Sequence, residues 1–412
     1  MIRKVLIIGY VWPEPQSSAA GVRMLQLIRA FRSADIQVIF SSPAAPGEHP
    51  FDLSQMGVSS VTIQVNDPGF DDFARETQPD LVVFDRYMME EQFGWRIAEQ
   101  CPEAIRVLDT EDLHFLRKYR QKNYRSSFPD HSNMLLDPLA RREVASIYRC
   151  DLSLIISQKE MELLTGQFGV DEKLLCYLPY LLDAAEIPVP GSLNGFEQRK
   201  DMMFIGNFRH DPNTDAVRYL KVEIWPEIRK VLPGVSLSIY GAYAGKEVEE
   251  MHKPSEGFNF RGWTPDVKDV MLSHRVLLAP LRFGGGLKGK IVDGMRFGLP
   301  AVTTTTGAEG LEEMNTGDGR VTDEAAEFVR TAVRLYADEK FWNNAVSVGY
   351  DVVSNKFDRN YFERILMRRL NALRIDLSLH RQLNFIGGML SDQRVMASKY
   401  LSKYIVEKNR NN

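Results

Sequence analysis

The stretch Ala279–Thr304, APLRFGGGLKGKIVDGMRFGLPAVTT, combines residue types that suit a phosphate-bearing ligand. An apolar run leads into three successive glycines, and two lysines follow at the start of a helical pattern. Glycines let backbone N–H groups approach a ligand closely, and a helix N-terminus adds positive potential. A diphosphate is therefore predicted to bind here, with the lysines neutralising its charge. The residues of this predicted site are Gly284, Gly285, Gly286, Leu287, Lys288 and Lys290.

Asp293 extends the same pattern. It follows Lys290 by three residues, so the two side chains share one face of the predicted helix. This pairing suits a phosphate bound by the lysine and a ribose diol bound by the carboxylate. Three glycines alone are a weak signal, but the ordered series of strand, glycines, lysines, helix, Gly-Leu-Pro and strand is much more specific.

A second polar cluster, LDTEDLHFLRKYR, lies at Leu108–Arg120 after another apolar run. His114 and Arg117 are three residues apart and share a helix face. We expect His114 to contact a bound ligand, although a lone histidine is usually structural. The other candidates in this cluster are Asp109, Glu111, Asp112 and Arg117, on the side of the site opposite the glycines. In an alternative interpretation, Asp109 or Asp112 caps the helix instead.

The elements that position these residues alternate between short apolar runs and helical patterns, which is typical of βαβ units and a parallel sheet. In the first half, strands are predicted at 4–9, 37–40, 61–65, 79–85, 105–112 and 152–157, with helices at 22–31 and 140–148. The stretch 179–200 contains prolines and glycines without periodicity and is predicted to be a linker. In the second half, strands are predicted at 203–206, 236–240, 258–261, 275–281 and 300–305, with helices at 214–231, 267–273 and 291–297. A helical pattern continues from about residue 357 to the end.

The Gly-rich stretch resembles the donor-binding signature of GT-B glycosyltransferases, especially the retaining family-4 type. In that family a Gly-rich loop leads into a helix, and an acidic residue of the helix binds the nucleotide ribose. Asp293 occupies the matching position, where the family usually has Glu. The family's partner acid, eight positions earlier, is replaced here by Gly285.

The resemblance implies an α/β fold of two Rossmann-like domains (GT-B) that face each other across a cleft, with C-terminal helices returning toward the N-terminal domain. The expected domains are an acceptor-side domain at 1–180, a nucleotide-sugar-binding domain at 190–357 and a helical extension at 358–412.

The resemblance also implies further contacts with the donor. Asn207, Arg209 and His210 face its phosphates, and Arg209 suits phosphate oxygens as a rigid fork unless it is an ordinary surface arginine. Trp263 either stacks on the nucleobase or packs as a loop aromatic. Glu309 either borders the donor sugar or begins an acid-rich helix.

The first strand-to-helix loop, PEPQSSAAGVRM, corresponds to a loop that faces the cleft in this fold. Gly21 is predicted to admit a phosphate or an acceptor group there, with Ser18 and Arg23 as companions.

The implied activity is transfer of a sugar from a nucleoside-diphosphate sugar to an acceptor hydroxyl, with retention, a step for which this fold needs neither metal nor cofactor. Arg209, Lys288 and Lys290 would stabilise the departing diphosphate, and His114 would lie near the transferred sugar. The expected acceptor is a glycan, a lipid-linked molecule or a protein. Two alternatives stay open: a catalytically silent GT-B scaffold, and a sugar-nucleotide 2-epimerase. An NAD-dependent oxidoreductase is excluded because no G-x-G-x-x-G follows the first strand.

Composition narrows the class further. The chain has 412 residues, a length that favours two domains. Its three widely spaced cysteines favour a reducing compartment. The formal net charge of -4 gives no reason to expect a nucleic-acid partner. We expect a cytoplasmic protein, and the oligomeric state is left open. The C-terminal stretch RVMASKYLSKYIVEKNRNN is amphipathic and basic. It is expected to pack back on the body, with peripheral docking on an anionic membrane or a partner as the alternative.

Overall fold

This computed structural model describes residues 2–125, 132–189 and 191–392, without the side chains of residues 132 and 133. Its strands are β1 (Lys4–Ile8), β2 (Gln37–Ser42), β3 (Ser59–Thr62), β4 (Leu81–Asp85), β5 (Ile105–Asp109), β6 (Leu152–Ile155), β7 (Leu175–Tyr177), β8 (Lys200–Ile205), β9 (Leu237–Tyr240), β10 (Phe258–Gly262), β11 (His274–Ala279) and β12 (Ala301–Thr303). Its helices are α1 (Ala19–Ser33), α2 (Gly69–Thr77), α3 (Tyr87–Gln100), α4 (His114–Asn123), α5 (Ser132–Leu136), α6 (Pro138–Arg149), α7 (Gln158–Gly166), α8 (Asp211–Tyr219), α9 (Trp225–Val231), α10 (Lys246–Glu249), α11 (Val267–Ser273), α12 (Gly289–Arg296), α13 (Ala325–Ala337), α14 (Glu339–Lys356), α15 (Arg359–Leu383) and α16 (Phe385–Ser391).

The strands form two parallel sheets, one in each half of the chain. The first has the order β3-β2-β1-β4-β5-β6-β7 and the second the order β10-β9-β8-β11-β12. Parallel strands need helical crossovers, which cover both faces of a sheet, and this explains why the central strands are apolar throughout. The two sheets confirm the predicted α/β class with two Rossmann-like domains. In such sheets ligands bind at the carboxyl ends of the strands, near the point where the strand order reverses.

The last long helix belongs to the core of the first domain. On α15, five buried side chains pack in one apolar cluster with residues of β1, β2 and β4: Phe362, Leu366, Leu370, Leu373 and Leu377. The chain crosses between the domains twice, and the crossings are paired by backbone bonds from the Leu182 N–H to the Phe357 carbonyl (2.8 Å) and from the Arg359 N–H to the Leu182 carbonyl (3.0 Å). The C-terminal helices thus return to the first domain, as expected. The domain boundaries themselves stay a prediction.

Several elements differ from the sequence prediction. The strand predicted at 61–65 lies at Ser59–Thr62, where it forms an exposed edge whose residues carry little apolar signal. The edge strand β7 is not among the predicted elements, and neither are α13 and α14. The helix predicted at 214–231 begins at Asp211 and changes to π-helical geometry over Leu220–Ile224 before α9.

No helix among the described residues is long and apolar enough to cross a membrane. The basic stretch that ends the chain lies outside the described residues.

Candidate active site

A cleft of about 240 Å³ lies between the carboxyl ends of the two sheets, and residues of both domains line it. Fifteen predicted site residues line this cleft: Ser18, Glu111, Asp112, His114, Arg117, Asn207, His210, Trp263, Gly284, Gly285, Gly286, Leu287, Lys288, Lys290 and Asp293. Five others lie outside the lining: Gly21, Arg23, Asp109, Arg209 and Glu309. The cleft thus brings together residues that are far apart in the sequence, while their individual roles stay predictions.

The Gly-rich loop connects β11 to α12 and is held in place by the first domain. Gly286 has a φ of +60°, a conformation that favours glycine, and its N–H donates to Glu160 Oε1 at 2.9 Å. Lys288 is the residue that precedes α12, and its ammonium group turns back to donate to the carbonyls of Gly285 (2.9 Å) and Gly286 (2.6 Å). The loop is therefore preorganised.

Lys290 lies in the first turn of α12, and no acidic side chain of the described residues pairs with its amine. Its Nζ donates to Asn213 Oδ1 at 2.6 Å and lies 4.2 Å from the centre of the Phe204 ring. Within the described residues it forms no ion pair. Burial and the nearby Lys288 lower the pKa of Lys290 to about 7. A bound anion would restore the charged form, so the position suits a diphosphate.

Asp293 lies on the same helix. Burial raises the pKa of this carboxyl to about 6, although Arg296 lies 3.9 Å away and favours its charged form. The start of α12 therefore places the Lys290 side chain in the cleft. One turn later, the Asp293 carboxylate lines the cleft and is able to accept hydrogen bonds from a diol.

Asp112 is the anionic centre of the opposite wall. Arg117 donates to this carboxylate, with an NH1–Oδ1 distance of 2.6 Å, and His114 Nε2 lies 3.5 Å from Oδ1. Burial opposes the ionisation of Asp112, but the charge and hydrogen bond of Arg117, together with the nearby His114 and His210, outweigh it and hold the pKa well below its usual range. Burial lowers the pKa of His114 to about 3, so at neutral pH its imidazole is uncharged and is able to donate or accept one hydrogen bond.

The same carboxylate lies against the Gly-rich loop. A Cβ atom at Gly285 would lie only 2.9 Å from Asp112 Oδ2 and 3.3 Å from Asp112 Cβ. Glycine at 285 is thus what allows a carboxylate of the first domain to approach the loop of the second. Asp112 occupies the space beside the position where the resembling family carries its partner acid.

Neither Asp109 nor Asp112 caps α4, so that alternative is wrong. The backbone N–H groups of His114 and Phe115 donate to Glu143 at 3.1 and 2.9 Å, and that of Leu113 donates to Glu160 at 3.0 Å. Both capping acids come from other helices, and local spacing in the sequence does not reveal them.

Arg23 and Asp109 form a buried ion pair beneath the cleft. Arg23 donates to Asp109 Oδ1 from Nε (3.0 Å) and NH2 (2.8 Å), and it donates from NH1 to the Leu178 carbonyl at 2.7 Å. The Asp109 side chain is 0% exposed and the Arg23 side chain 4%. This pair connects α1, β5 and the start of the linker, so its role is structural.

Replacing Arg23 with alanine is expected to lower the free energy of unfolding by about 3–5 kcal/mol, because Asp109 would remain buried without its partner. Urea unfolding followed by circular dichroism measures this change. The control is Arg29→Ala, which breaks an exposed pair with Glu186 and should cost less than about 1 kcal/mol. Equal losses for the two variants would contradict the assignment.

Ser18 and Gly21 hold the loop before α1 against the start of that helix. Ser18 caps α1, since its Oγ accepts from the Gly21 N–H at 3.0 Å. A Cβ atom at Gly21 would lie 2.5 Å from the backbone carbon of Glu14. Gly21 therefore allows the helix to pack on the preceding loop, and it does not line the cleft.

Arg209 and Glu309 lie beside the cleft. Arg209 is exposed and its guanidinium lies 3.5 Å from the centre of the Tyr243 ring, which is the surface arrangement given above as the alternative. Glu309 forms a two-pronged ion pair with Arg120 of α4, at 2.6 and 2.7 Å. This pair lines a second cavity, of about 540 Å³.

Trp263 and Asn207 bridge the domains. The Trp263 ring stacks on His49 of the first domain, with centroids 3.8 Å apart and planes 4° from parallel, and its buried indole N–H has no partner in the described structure. Asn207 donates from Nδ2 to the Ser17 carbonyl at 3.2 Å. A nucleobase that stacks on Trp263 would share the ring with His49 or displace it.

Three further cleft residues are absent from the sequence prediction. Arg86 has a φ of +72° and is buried, and its NH1 lies 3.5 Å from Asp85 Oδ2. The Ser17 hydroxyl is buried without a partner in the described structure, and Asn213 orients Lys290. The only sequence signal for Arg86 is its place directly after the carboxylate that ends β4.

Glu111 combines backbone strain with an unsatisfied carboxyl oxygen. It has a φ of +61°, and its buried Oε1 has no hydrogen-bond partner within the described residues. Burial and the neighbouring Asp109 raise the pKa of Glu111 to about 8. Such strained, unpaired groups concentrate at functional sites, where a ligand supplies the missing partner.

Comparison with known proteins agrees with this arrangement. Residues 199–338, about a third of the chain, match the family model described as glycosyl transferases group 1. A search of curated protein sequences gives no match.

Solved structures match over most of the chain. HepE from Anabaena, in complex with UDP and glucose, has a TM-score of 0.68 at 14% identity, covering 90% of this chain and 100% of that one. Sucrose-phosphate synthase from Thermosynechococcus elongatus has a TM-score of 0.67 at 14% identity, covering 90% and 99%. A TarM mutant from S. aureus, solved with fondaparinux, alpha-GlcNAc-glycerol and UDP, has a TM-score of 0.67 at 7% identity, covering 90% and 100%. At these identities the likeness shows the fold, and the family match covers residues 199–338. The chain is therefore a glycosyltransferase of the GT-B fold that matches the group 1 glycosyl transferases over residues 199–338.

Proposed function

We propose that the protein transfers a sugar from a nucleoside-diphosphate sugar to an acceptor hydroxyl, with retention and without a metal or another cofactor. The observation that carries the proposal is the start of α12. Lys290 has no acidic partner among the described residues, and Asp293 lies on the same helix face at the end of a preorganised glycine loop. The uridine nucleotides in the structures of HepE and TarM support a UDP-sugar as the donor.

The negative charge that develops on the leaving diphosphate determines which residues are able to stabilise the transition state. Breaking the bond between the sugar and the diphosphate leaves negative charge on the phosphate oxygens. Lys290 and the backbone N–H groups at the start of α12 stabilise that charge. Within the described residues, no cluster of three or more His, Cys, Asp or Glu side chains is placed to hold a metal ion. In the proposal, Lys290 and the N–H groups at the start of α12 neutralise the diphosphate in place of a metal ion.

The opposite wall of the cleft holds the sugar and the acceptor. Asp112 stays ionised and accepts hydrogen bonds from donor-sugar hydroxyls, while uncharged His114 bonds a further hydroxyl. Glu111, protonated at neutral pH, donates a hydrogen bond to the acceptor from the side of the first domain. The acceptor is a glycan, a lipid-linked molecule or a protein, and all three present hydroxyl groups.

The test is a panel of UDP-, GDP- and ADP-sugars, incubated with the protein with and without cell-envelope extract, in which released nucleotide is measured. Nucleotide release with a UDP-sugar that increases with acceptor supports the proposal, and the anomeric configuration of the product, read by NMR, decides retention. Tight binding without release would assign the protein to the scaffold class. A C2 epimer of the donor would assign it to the epimerases.

Affinity for UDP is expected to fall as the pH rises above 7. The pKa of Lys290 is about 7 in the free protein, and a bound diphosphate raises it, so binding takes up a proton above pH 7. The dissociation constant should therefore increase by up to about tenfold per pH unit until the pH reaches the pKa of the bound state. Isothermal titration between pH 7.5 and 8.5 measures this slope, in a range where the diphosphate of UDP is ionised and its uracil N3–H keeps the proton.

Two variants make this titration specific. Lys290→Arg keeps its charge over the whole range and should remove most of the slope. Glu111→Gln removes another group that titrates near this range and lines the cleft, and it should leave the slope in place. A slope that survives in Lys290→Arg would show that a different group takes up the proton.

A further inference from the structure

Two loops of the first domain bind one tyrosine of the second domain at the edge of the cleft. The Tyr243 hydroxyl donates to Glu14 Oε1 (2.8 Å) and Oε2 (2.6 Å), and it accepts from the Glu48 N–H at 3.0 Å. Tyr243 does not line the cleft itself, but its neighbour Ala242 does, and so does Pro15 beside Glu14. The contact therefore joins the domains directly at the rim of the cleft.

The fold accepts a close approach and a strained backbone to make this contact. A Cβ atom at Gly47 would overlap Glu14 Oε1 and lie 2.8 Å from the Tyr243 hydroxyl, so the loop needs glycine there. Tyr243 has a φ of +60°, in the left-handed region that a tyrosine rarely adopts, and the Arg209 guanidinium lies 3.5 Å from the centre of its ring. Strained residues persist only where surrounding contacts hold them, and they concentrate at segments that switch conformation.

Two further contacts between the domains lie on the same side of the cleft. His49 stacks on Trp263, and Asn207 donates to the Ser17 carbonyl. His49 lies in the segment 43–52, which has no helix or strand, so this segment is able to move without disturbing the sheet. The contacts of the first domain on this side thus come from loops.

We propose that Glu14, Glu48 and His49 of the first domain and Tyr243 and Trp263 of the second form a latch that holds the cleft closed at its nucleobase end. The latch opens when the nucleotide enters or leaves, and it closes around the bound nucleotide. Tyr243 and Glu14 are its positioning residues, since neither lines the cleft. The inference rests on the proposed function in one respect, which is that a nucleotide binds in the cleft.

A latch has a kinetic signature that a residue in contact with the ligand lacks. Because Tyr243 and Glu14 bond to each other only when the domains are closed, removing the bond raises the open population of the free and of the nucleotide-bound protein alike. UDP then associates and dissociates faster by the same factor, and Kd changes little. Removing a residue that contacts UDP would instead act chiefly on dissociation and raise Kd.

The test variant is Tyr243→Phe in the full chain, which keeps the ring beside Arg209 and removes the hydroxyl. The matched control is Tyr361→Phe, at an exposed tyrosine (52%) of α15. Stopped-flow tryptophan fluorescence gives the rate constants for UDP association and dissociation, and thermal unfolding checks that each variant is folded. Glu14→Gln and the double variant Tyr243→Phe/Glu14→Gln test whether the two residues act as one pair.

Hydrogen exchange in the free protein reads the opening of the domains without any nucleotide. The Gly286 N–H donates to Glu160 of the first domain, so its exchange requires the domains to separate there. This amide lies on the glycine loop, away from the hydroxyl that Tyr243→Phe removes. Faster exchange in the variant therefore reports domain opening and not the loss of the local bond.

We expect both rate constants for UDP, and the exchange of the Gly286 amide, to rise by about tenfold in Tyr243→Phe, the usual effect of losing a hydrogen bond to a charged group. The double variant should match Tyr243→Phe, and Tyr361→Phe should match the unmodified chain.

Unchanged rate constants, or faster dissociation alone, would overturn the latch and leave the proposed function in place. If the unmodified chain does not bind UDP, the proposed function fails, and hydrogen exchange then decides on the latch. Exchange at Gly286 that Tyr243→Phe accelerates would support the latch, and unchanged exchange would overturn it.

Discussion

Lys290→Ala is expected to lower kcat/KM for a UDP-sugar by about 10²–10³-fold, the usual effect of removing one preorganised group that stabilises developing negative charge. Lys290 is the cation at the start of α12, and Asn213 and the Phe204 ring hold it in place. Its replacement removes the charge and leaves the glycine loop intact, because its side chain makes no bond to that loop within the described residues. The expected loss therefore appears in turnover and in UDP affinity, and not in stability.

The measurement is the rate of UDP release from a saturating and a subsaturating donor, for the unmodified chain, Lys290→Ala and Lys290→Arg. Lys290→Arg retains a positive charge and should retain part of the activity. Lys230→Ala, which removes an exposed lysine on α9, is the control and should behave as the unmodified chain does. Unchanged kcat/KM in Lys290→Ala would remove the start of α12 from the proposed reaction.

Gly285→Glu is expected to reduce activity by about 10²-fold or more, since displacing a bound substrate by 1 Å can cost that much. A Cβ atom at 285 already meets Asp112 Oδ2 at 2.9 Å, and a second carboxylate would repel the first. The two domains would then separate, or Asp112 would leave Arg117 and His114. Gly234→Ala is the control, because a Cβ atom there meets nothing within 4 Å.

The double variant Asp112→Ala/Gly285→Glu tests whether the two positions share one function. With Asp112 removed, the new carboxylate has room beside the loop and takes the place of the old one. We expect the double variant to be more active than Gly285→Glu alone, by about tenfold or more, so that the two changes are not additive. Additive losses would show that Asp112 serves the site in another way than as the carboxylate beside residue 285.

Much of the fold could be predicted from the sequence because buried parallel strands and their covering helices have distinct periods. The helix α11 lies at the predicted Val267–Ser273, where Asp266 caps it through the N–H groups of Lys268 and Asp269. The edge strands of the first sheet were harder, since β3 is largely exposed and β7 has only three residues. Neither strand is long enough or apolar enough to produce a clear pattern.

The candidate site could be predicted in its local parts and not in its contacts between domains. Glycines, lysines and Asp293 lie close together in the sequence, so their spacing places them on one loop and one helix. The approach of Asp112 to Gly285, by contrast, joins residues more than 170 positions apart. Arg23 and Asp109 were predicted as site residues because their residue types suit catalysis or binding. In the fold they form a buried ion pair with a structural role.

The most direct test of the central claim is a crystal structure of the protein with UDP. The account predicts the diphosphate at the start of α12, within hydrogen-bond distance of Lys290 Nζ, with the ribose near Asp293 and the base near Trp263. UDP bound elsewhere, such as in the second cavity beside Tyr124 and Arg282, would contradict it.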